Sequence, residues 1–188
     1  MNHQDHVELL RPAALPAGGT WADLGAGSGA FTLALRELAG AEAVIYAIDK
    51  DRTRLGELER AFQARFGDSP NLHCLPADFT RPLHVTTSAG RGLPPLDGIL
   101  MANSLHFYRD KESVLRHVGA FLKPGGLLLL VEYNVDVGNL WVPHPLSFKN
   151  YQALTRQAGF SEARLLATHP SNFLRGFYSA IAYKTAGM

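Results

Sequence analysis

The chain has 188 residues, 46% of them hydrophobic and 19% charged. This length fits one domain spanning 1–188, with a core large enough to stand without disulfides or metal. Eighteen Lys and Arg against 17 Asp and Glu leave a formal net charge of +1, which excludes the basic excess of a typical nucleic-acid binder.

A leading segment, 1–19, precedes the first strand pattern, and a helix is expected over 7–15. His3, Asp5, His6 and Glu8 do not make a signal peptide. Residues 20–24 (TWADL) predict the first strand, 31–39 a helix and 44–48 (VIYAI) a β-branched second strand. Leu55, Leu58, Phe62 and Phe66 recur at three- and four-residue spacing, so 51–66 is predicted to be an amphipathic helix. A short third strand follows over 72–75. It holds the only cysteine, Cys74, expected to act as a buried small apolar residue. A lone cysteine points to a reducing, cytoplasmic setting. Residues 77–95 are rich in Pro, Gly, Ser and Thr and read as loop. Residues 96–102 form the fourth strand and 111–122 a helix stopped by Lys123-Pro124-Gly125-Gly126. The run 127–133 is the fifth strand, apolar enough to be buried on both faces. Its apolar core, 127–131, is strand-sized, and no apolar run in the chain is long enough to span a bilayer, so no membrane partner is expected. A helix over 147–158 ends at Gly159, and 163–168 and 177–184 close the chain as strands. Strand and helix alternate as in a doubly wound α/β sheet until the last link, 169–176. That link is too short for a crossover helix, so the last two strands must pair antiparallel.

The segment Asp23-Leu24-Gly25-Ala26-Gly27-Ser28-Gly29 lies between a predicted strand and a predicted helix. Glycines there let the backbone turn tightly and approach a ligand that a Cβ would block. The helix start beyond offers unpaired N–H groups to a polar or anionic group. The spacing Gly25-x-Gly27-x-x-Ala30, with the acidic Asp49 at the end of the second strand, also fits a dinucleotide fingerprint. Asp49 can accept hydrogen bonds from both hydroxyls of a ribose, or else cap the helix that follows. NAD and S-adenosylmethionine both carry that ribose, so these residues leave the two open.

Several segments taken together resemble the class I S-adenosylmethionine-dependent methyltransferases. Residues 21–32 (WADLGAGSGAFT) look like the family's first motif and 46–51 (YAIDKD) like its second-strand acidic motif. Residues 76–79 (PADF) and 97–106 (DGILMANSLH) are similar to the motifs after the third strand and on the fourth. The turn 122–127 (LKPGGL) and Ala158-Gly159-Phe160 also match, in family order over 20 to about 168. The resemblance implies a seven-stranded, mostly parallel sheet of order 3-2-1-4-5-7-6 over 20–188, with strand 7 antiparallel and helices on both faces. It implies S-adenosylmethionine as cofactor and S-adenosylhomocysteine as product. Asp23 and the backbone of Gly25, Ala26, Gly27 and Gly29 would hold the methionine end. Asp49 would hold the ribose, with Lys50 beside the adenine, Asp78 at the adenine amino group and Phe79 over the ring. Asn103 and His106 would lie nearest the methyl group.

A sulfonium methyl is already activated, so the protein must align a nucleophile and exclude water. A base is needed only for a nucleophile that carries a proton. His106, Tyr108 and His144 are candidates, and His106 is the best placed. Glu132 and Tyr133 end the fifth strand and are candidate acceptor-pocket residues, and 134–145, with Trp141, Pro143, His144 and Pro145, is a candidate wall. The eight histidines lack metal-ligand spacing, and His3 and His6 sit on an expected mobile start, so no metal site is expected. The stretch 102–106 (ANSLH) departs from the Asn-Pro-Pro-Tyr pattern of methyltransferases acting on amide or adenine nitrogens. With near-zero net charge and no basic run, the expected acceptor is a small molecule, and a homodimer partner could complete so short a chain's site. A nicotinamide-dependent oxidoreductase and a non-catalytic S-adenosylmethionine-binding protein are the alternatives.

Overall fold

The computed structural model describes residues 1–68, 70–83, 86–87 and 90–187. Seven strands form the main sheet: β1 (Thr20–Leu24), β2 (Val44–Asp49), β3 (Leu72–Pro76), β6 (Leu96–Ala102), β7 (Leu122–Tyr133), β8 (Arg164–Pro170) and β9 (Gly176–Tyr183). Their order is β3-β2-β1-β6-β7-β9-β8. The pairs β1–β2, β1–β6, β2–β3 and β6–β7 are parallel, whereas β9 runs antiparallel to both β7 and β8. This is the sheet expected from the resemblance. The loop expected over 77–95 carries a small antiparallel pair, β4 (Thr86–Thr87) with β5 (Gly90–Arg91); residues 84, 85, 88 and 89 of that loop lie outside the described residues.

Central strands are apolar on both sides because helices cover both. On one side Trp21, Ile45, Leu100, Leu129 and Ile181 pack with Phe31, Ala34 and Leu35 of α2 (Ala30–Ala39) and Val7, Leu9 and Leu10 of α1 (His3–Leu10). Ala47 of the sheet meets Leu55, Leu58 and Phe62 of α3 (Arg52–Phe66), the residues whose spacing foretold that helix. On the other side Ala22, Leu24, Ile99, Met101 and Leu128 meet Val114, Leu115 and Val118 of α4 (Lys111–Gly119) and Tyr151 of α5 (Phe148–Gln157). At about 25 cal/mol per Å² of apolar surface, burying these side chains on both faces is the main drive for folding.

Three local differences have identifiable causes. The first helix covers 3–10 rather than 7–15, because Asn2 and Asp5 form a capping box in which each side chain accepts from the other's backbone N–H. His3 and His6 therefore sit on an ordered helix, not a mobile start. His3 Nε2 meets Glu37 at 2.8 Å, and the His6 ring lies 4.6 Å from that of Phe31. The second concerns the Lys123–Gly126 turn. α4 ends at Gly119 and β7 starts at Leu122, so the turn is a bulge inside the strand: Leu96 pairs with Leu122, then Gly98 with Leu127. Gly125, at φ +74°, gives its N–H to the Lys184 carbonyl at 3.1 Å, which ties the bulge to the chain end. Third, Cys74 lies on the edge strand β3 and is only partly covered, though burial still pushes its thiol up to about 12. Among the described residues no helix is long and apolar enough to cross a membrane.

Candidate active site

The strand order reverses between β1 and β6, so their loops diverge and leave a crevice at the carboxyl edge of the sheet. A cavity of about 490 Å³ lies there. Gly25, Gly27, Asp49, Lys50, Phe79 and Asn103 line it, joined by Arg54, Ser104, Phe107 and Tyr108. A smaller cavity of about 230 Å³ shares Gly25, Gly27, Arg54 and Asn103 with it and reaches Asp23, Ala26, Ser28 and His6.

The turn after β1 is built from backbone. Gly25 and Ala26 donate to the Ile48 carbonyl at 2.8 and 3.1 Å, fastening the loop to β2. Gly25 has φ +83°, and a Cβ there would come within 2.5 Å of Ser104 Cβ, so glycine is what lets the loops after β1 and β6 meet. Asp49 braces the same turn. Its Oδ2 accepts from Gly27 N–H at 2.8 Å and its Oδ1 from Asp51 N–H at 2.8 Å. The cap of α3 is Asp51, which accepts from Thr53 and Arg54 N–H, so Asp49 keeps spare lone pairs facing the cavity. Gly29 lines neither cavity. It packs against α3, where a Cβ would fall 2.1 Å from Leu58 Cδ1.

Asp23, at the end of β1, is 1% exposed. Burial pushes its carboxyl up to about 7. Thr32 donates to Oδ2 at 2.6 Å, whereas Oδ1 has no hydrogen-bond partner among the described residues. Asn103 follows β6 in the left-handed region at φ +52°, and its Oδ1 is equally orphaned. Two unsatisfied buried acceptors on one cavity are costly unless a ligand supplies donors.

At the other end of the larger cavity, Phe79 is 4% exposed and meets Tyr108 edge-on at 5.6 Å. Lys50 Nζ lies 5.7 Å from the Tyr108 ring and 3.1 Å from Asp78. Asp78 itself is not on the cavity wall. Burial works to raise its pKa, but hydrogen bonds from Thr80 and Lys50 win, and its carboxyl is held below the usual range. The Asp78–Thr80 turn and the pairs with Lys50 and Arg81 are its direct contacts.

His106 is 3% exposed and stands outside both cavity walls. It belongs to a short 3-10 turn, Leu105–Phe107, after β6. Glu132, fully buried on β7, accepts from its backbone N–H at 3.1 Å and lies 2.9 Å from its Nδ1. The pair is flanked by the rings of Phe107 at 4.3 Å and Tyr133 at 6.3 Å from the imidazole. Glu132 was a candidate pocket residue; the structure places it behind His106. The segment 134–145 does not close a wall. Asn139 Oδ1 accepts from both Trp141 and Val142 N–H at 2.9 Å. That turn buries Val142 and leaves Trp141 72% exposed. His144 N–H donates to the His106 carbonyl at 3.0 Å, so the segment stays anchored beside the pair. Arg54 and Ser104 were missed in the sequence. Arg54 lies outside every motif and Ser104 was passed over inside the fourth-strand motif; the meeting of α3 and the β6 loop with the glycine turn brings both to the cavity.

Fold and crevice together define a doubly wound α/β protein with a ligand-sized crevice at the carboxyl edge of its sheet and a buried carboxylate oxygen without a partner among the described residues at one end. A family model described as a methyltransferase domain matches residues 22–128, more than half of the chain. The chain belongs to that family, the class I S-adenosylmethionine-dependent methyltransferases. This sets aside the nicotinamide alternative. The protein is similar in structure to YcgJ from Bacillus subtilis, with a TM-score of 0.75, 13% identity and coverage of 98% of this chain and 100% of that one. It is similar to magnesium protoporphyrin IX methyltransferase (ChlM) from Synechocystis with bound S-adenosylmethionine, at TM-score 0.69 and 16% identity, over 97% of this chain and 78% of that one. Human N-acetylserotonin methyltransferase, also in complex with S-adenosylmethionine, matches at TM-score 0.67 and 19% identity, over 99% of this chain and 52% of its own. A comparison with curated proteins found no match. The orphaned Asp23 oxygen, the ribose-side carboxylate of Asp49 and the aromatic pair Phe79–Tyr108 suit the ammonium, sugar and base of S-adenosylmethionine in turn.

Proposed function

We propose that this chain transfers a methyl group from S-adenosylmethionine to a small molecule with an apolar body and a protic nucleophile, with His106 as the base. The observation that carries the reading is the buried His106–Glu132 pair at the carboxyl ends of β6 and β7, next to the crevice. Nδ1 of His106 is turned to Glu132, which leaves Nε2 as the ring nitrogen to take a proton. S-adenosylmethionine, when bound, supplies a methyl group already activated on a sulfonium. Asp23 holds the ammonium, Asp49 the ribose hydroxyls and Phe79 the adenine face. Asp78 acts on the adenine edge by steadying Lys50. Asn103, orphaned and strained beside His106, orients the reacting end.

An apolar acceptor is supported by the edge it must cross. Phe107, on the cavity wall, is 59% exposed, and Trp141 and Phe173 are 72% and 50% exposed on the neighbouring loops. Phe107, His106, Tyr133 and Phe173 follow one another in ring contact at 4.3, 6.3 and 6.0 Å. Two of the similar structures are of enzymes named for small molecules, magnesium protoporphyrin IX and N-acetylserotonin.

A panel of phenolic, hydroxylated and amine acceptors with labelled cofactor tests the reading. Transfer to an aromatic or otherwise apolar member is expected. His106→Ala should slow that transfer by about 100-fold or more while S-adenosylhomocysteine affinity holds, since a positioned base contributes at least that much. Equal rates for both proteins across pH would end the base assignment, and no transfer to any member would leave a binding protein.

A further inference from the structure

We propose that His6 and Arg54 form the receptor for the carboxylate of the cofactor's amino-acid end, so that α1 reads that end as well as packing on the sheet. This deepens, and rests on, the S-adenosylmethionine reading of the site.

The 230 Å³ cavity beyond the glycine turn is lined by acceptors from the sheet and donors from the helices. Asp23 Oδ1 and Asn103 Oδ1, at the ends of β1 and β6, are buried and lack partners among the described residues. They ask for a cation or donor. His6 Nδ1, on α1, is a third buried atom without a partner on the same cavity, and as Nδ1–H it can donate. Its ring is held by Phe31 at 4.6 Å, which also lines the cavity. Arg54, from the first turn of α3, brings a guanidinium to the glycine turn. Its Nη1 lies 3.8 Å from the point where a Cβ on Gly27 would sit, and its pairing with Asp51 is loose at 3.8 Å.

An α-amino acid is the ligand that this set fits, because it carries an ammonium for Asp23 and a carboxylate for His6 and Arg54. A phosphate would satisfy Arg54 but would face the buried carboxylate of Asp23. Neither His6 nor Arg54 lies in a segment with a cofactor motif. The capping box of α1 and the seating of α3 bring them to one cavity.

Calorimetric titration with S-adenosylhomocysteine and with 5′-methylthioadenosine isolates the amino-acid end, because the second ligand keeps the adenosine and sulfur but lacks that end. His6→Phe keeps a ring against Phe31 and removes the donor, His6→Gln restores a donor, and Arg54→Met removes the guanidinium. The wild type should prefer S-adenosylhomocysteine. His6→Phe and Arg54→Met should each weaken that ligand about tenfold or more, the usual worth of a charge-assisted hydrogen bond, with His6→Gln recovering part of the loss. Their affinity for 5′-methylthioadenosine should stay near the wild-type value. Equal losses for both ligands, no loss for either, or a wild type without preference would overturn the proposal alone. A wild type that binds neither ligand would overturn the cofactor reading and this proposal with it.

Discussion

Gly29 shows how a motif residue can matter without touching a ligand. It caps α2 at φ +88°, and its missing side chain leaves room for Leu58 of α3. Gly29→Ala combines a left-handed alanine with a near-overlap of 2.1 Å, against a residue with no exposed surface. Each effect costs on the order of 1–3 kcal/mol. The midpoint of urea unfolding should fall accordingly, with an unchanged slope. A midpoint within error of the wild type would show that α3 shifts freely to accept the methyl. The three-glycine pattern was legible in the sequence, but the division of labour was not. Gly25 and Gly27 face the cavity whereas Gly29 faces Leu58, and a linear motif does not record which way each missing Cβ would point.

The elements themselves were legible wherever one periodicity ran uninterrupted. The repeat of Leu55, Leu58 and Phe62 located α3, and the continuous burial of β1, β2 and β6 followed from their apolar runs. The misplaced elements are those set by a partner. The first helix is positioned by its capping box and by Ser179 of β9. The Ser179 hydroxyl donates to the Leu9 carbonyl at 2.5 Å and accepts from Ala167 N–H at 3.1 Å. One fully buried hydroxyl thus joins α1, β8 and β9. Ser179→Ala would strand a buried carbonyl and a backbone N–H, at about 1–3 kcal/mol. Hydrogen exchange should then quicken at Ala167 and along α1 before it does so in β1 or β6. Uniform protection in both proteins would mean that water fills the gap. Likewise, Lys123-Pro124-Gly125-Gly126 reads as a stop in sequence and became a bulge because β6 and Lys184 offered its flanks hydrogen bonds on either side.

For the whole molecule, the buried carboxylate of Asp23 links ligand binding, pH and stability. With its pKa raised to about 7 by burial, the folded ligand-free protein holds this proton between about pH 4 and 7, where the unfolded chain has released it. This contribution to stability is therefore full below the unfolded value and is lost as pH rises through about 7. An ammonium-bearing ligand needs the ionised form, so the thermal shift produced by S-adenosylhomocysteine should grow from pH 6 to pH 8. Asp23→Asn should flatten that growth and weaken binding by about tenfold or more, as expected for loss of a charged partner. A shift equally large at both pH values in the wild type would remove Asp23 from the ammonium's contacts.

The sequence by itself determined the strand–helix alternation, the antiparallel ending, the glycine turn and the acidic residues at the ends of β1 and β2 and just after β3. All of these are local: each depends on a short run of residues and on backbone preferences that neighbours in the chain enforce. Tertiary structure alone decided that Asp49 braces the glycine turn, that Asp78 pairs with Lys50 away from the cavity wall and that Glu132 stands behind His106. It also decided that Arg54 and His6 share a cavity with Asp23. Those relations join residues 17 to 48 positions apart or on separate elements, and they exist only once parallel strands set their carboxyl ends side by side and burial makes each unpaired polar atom costly.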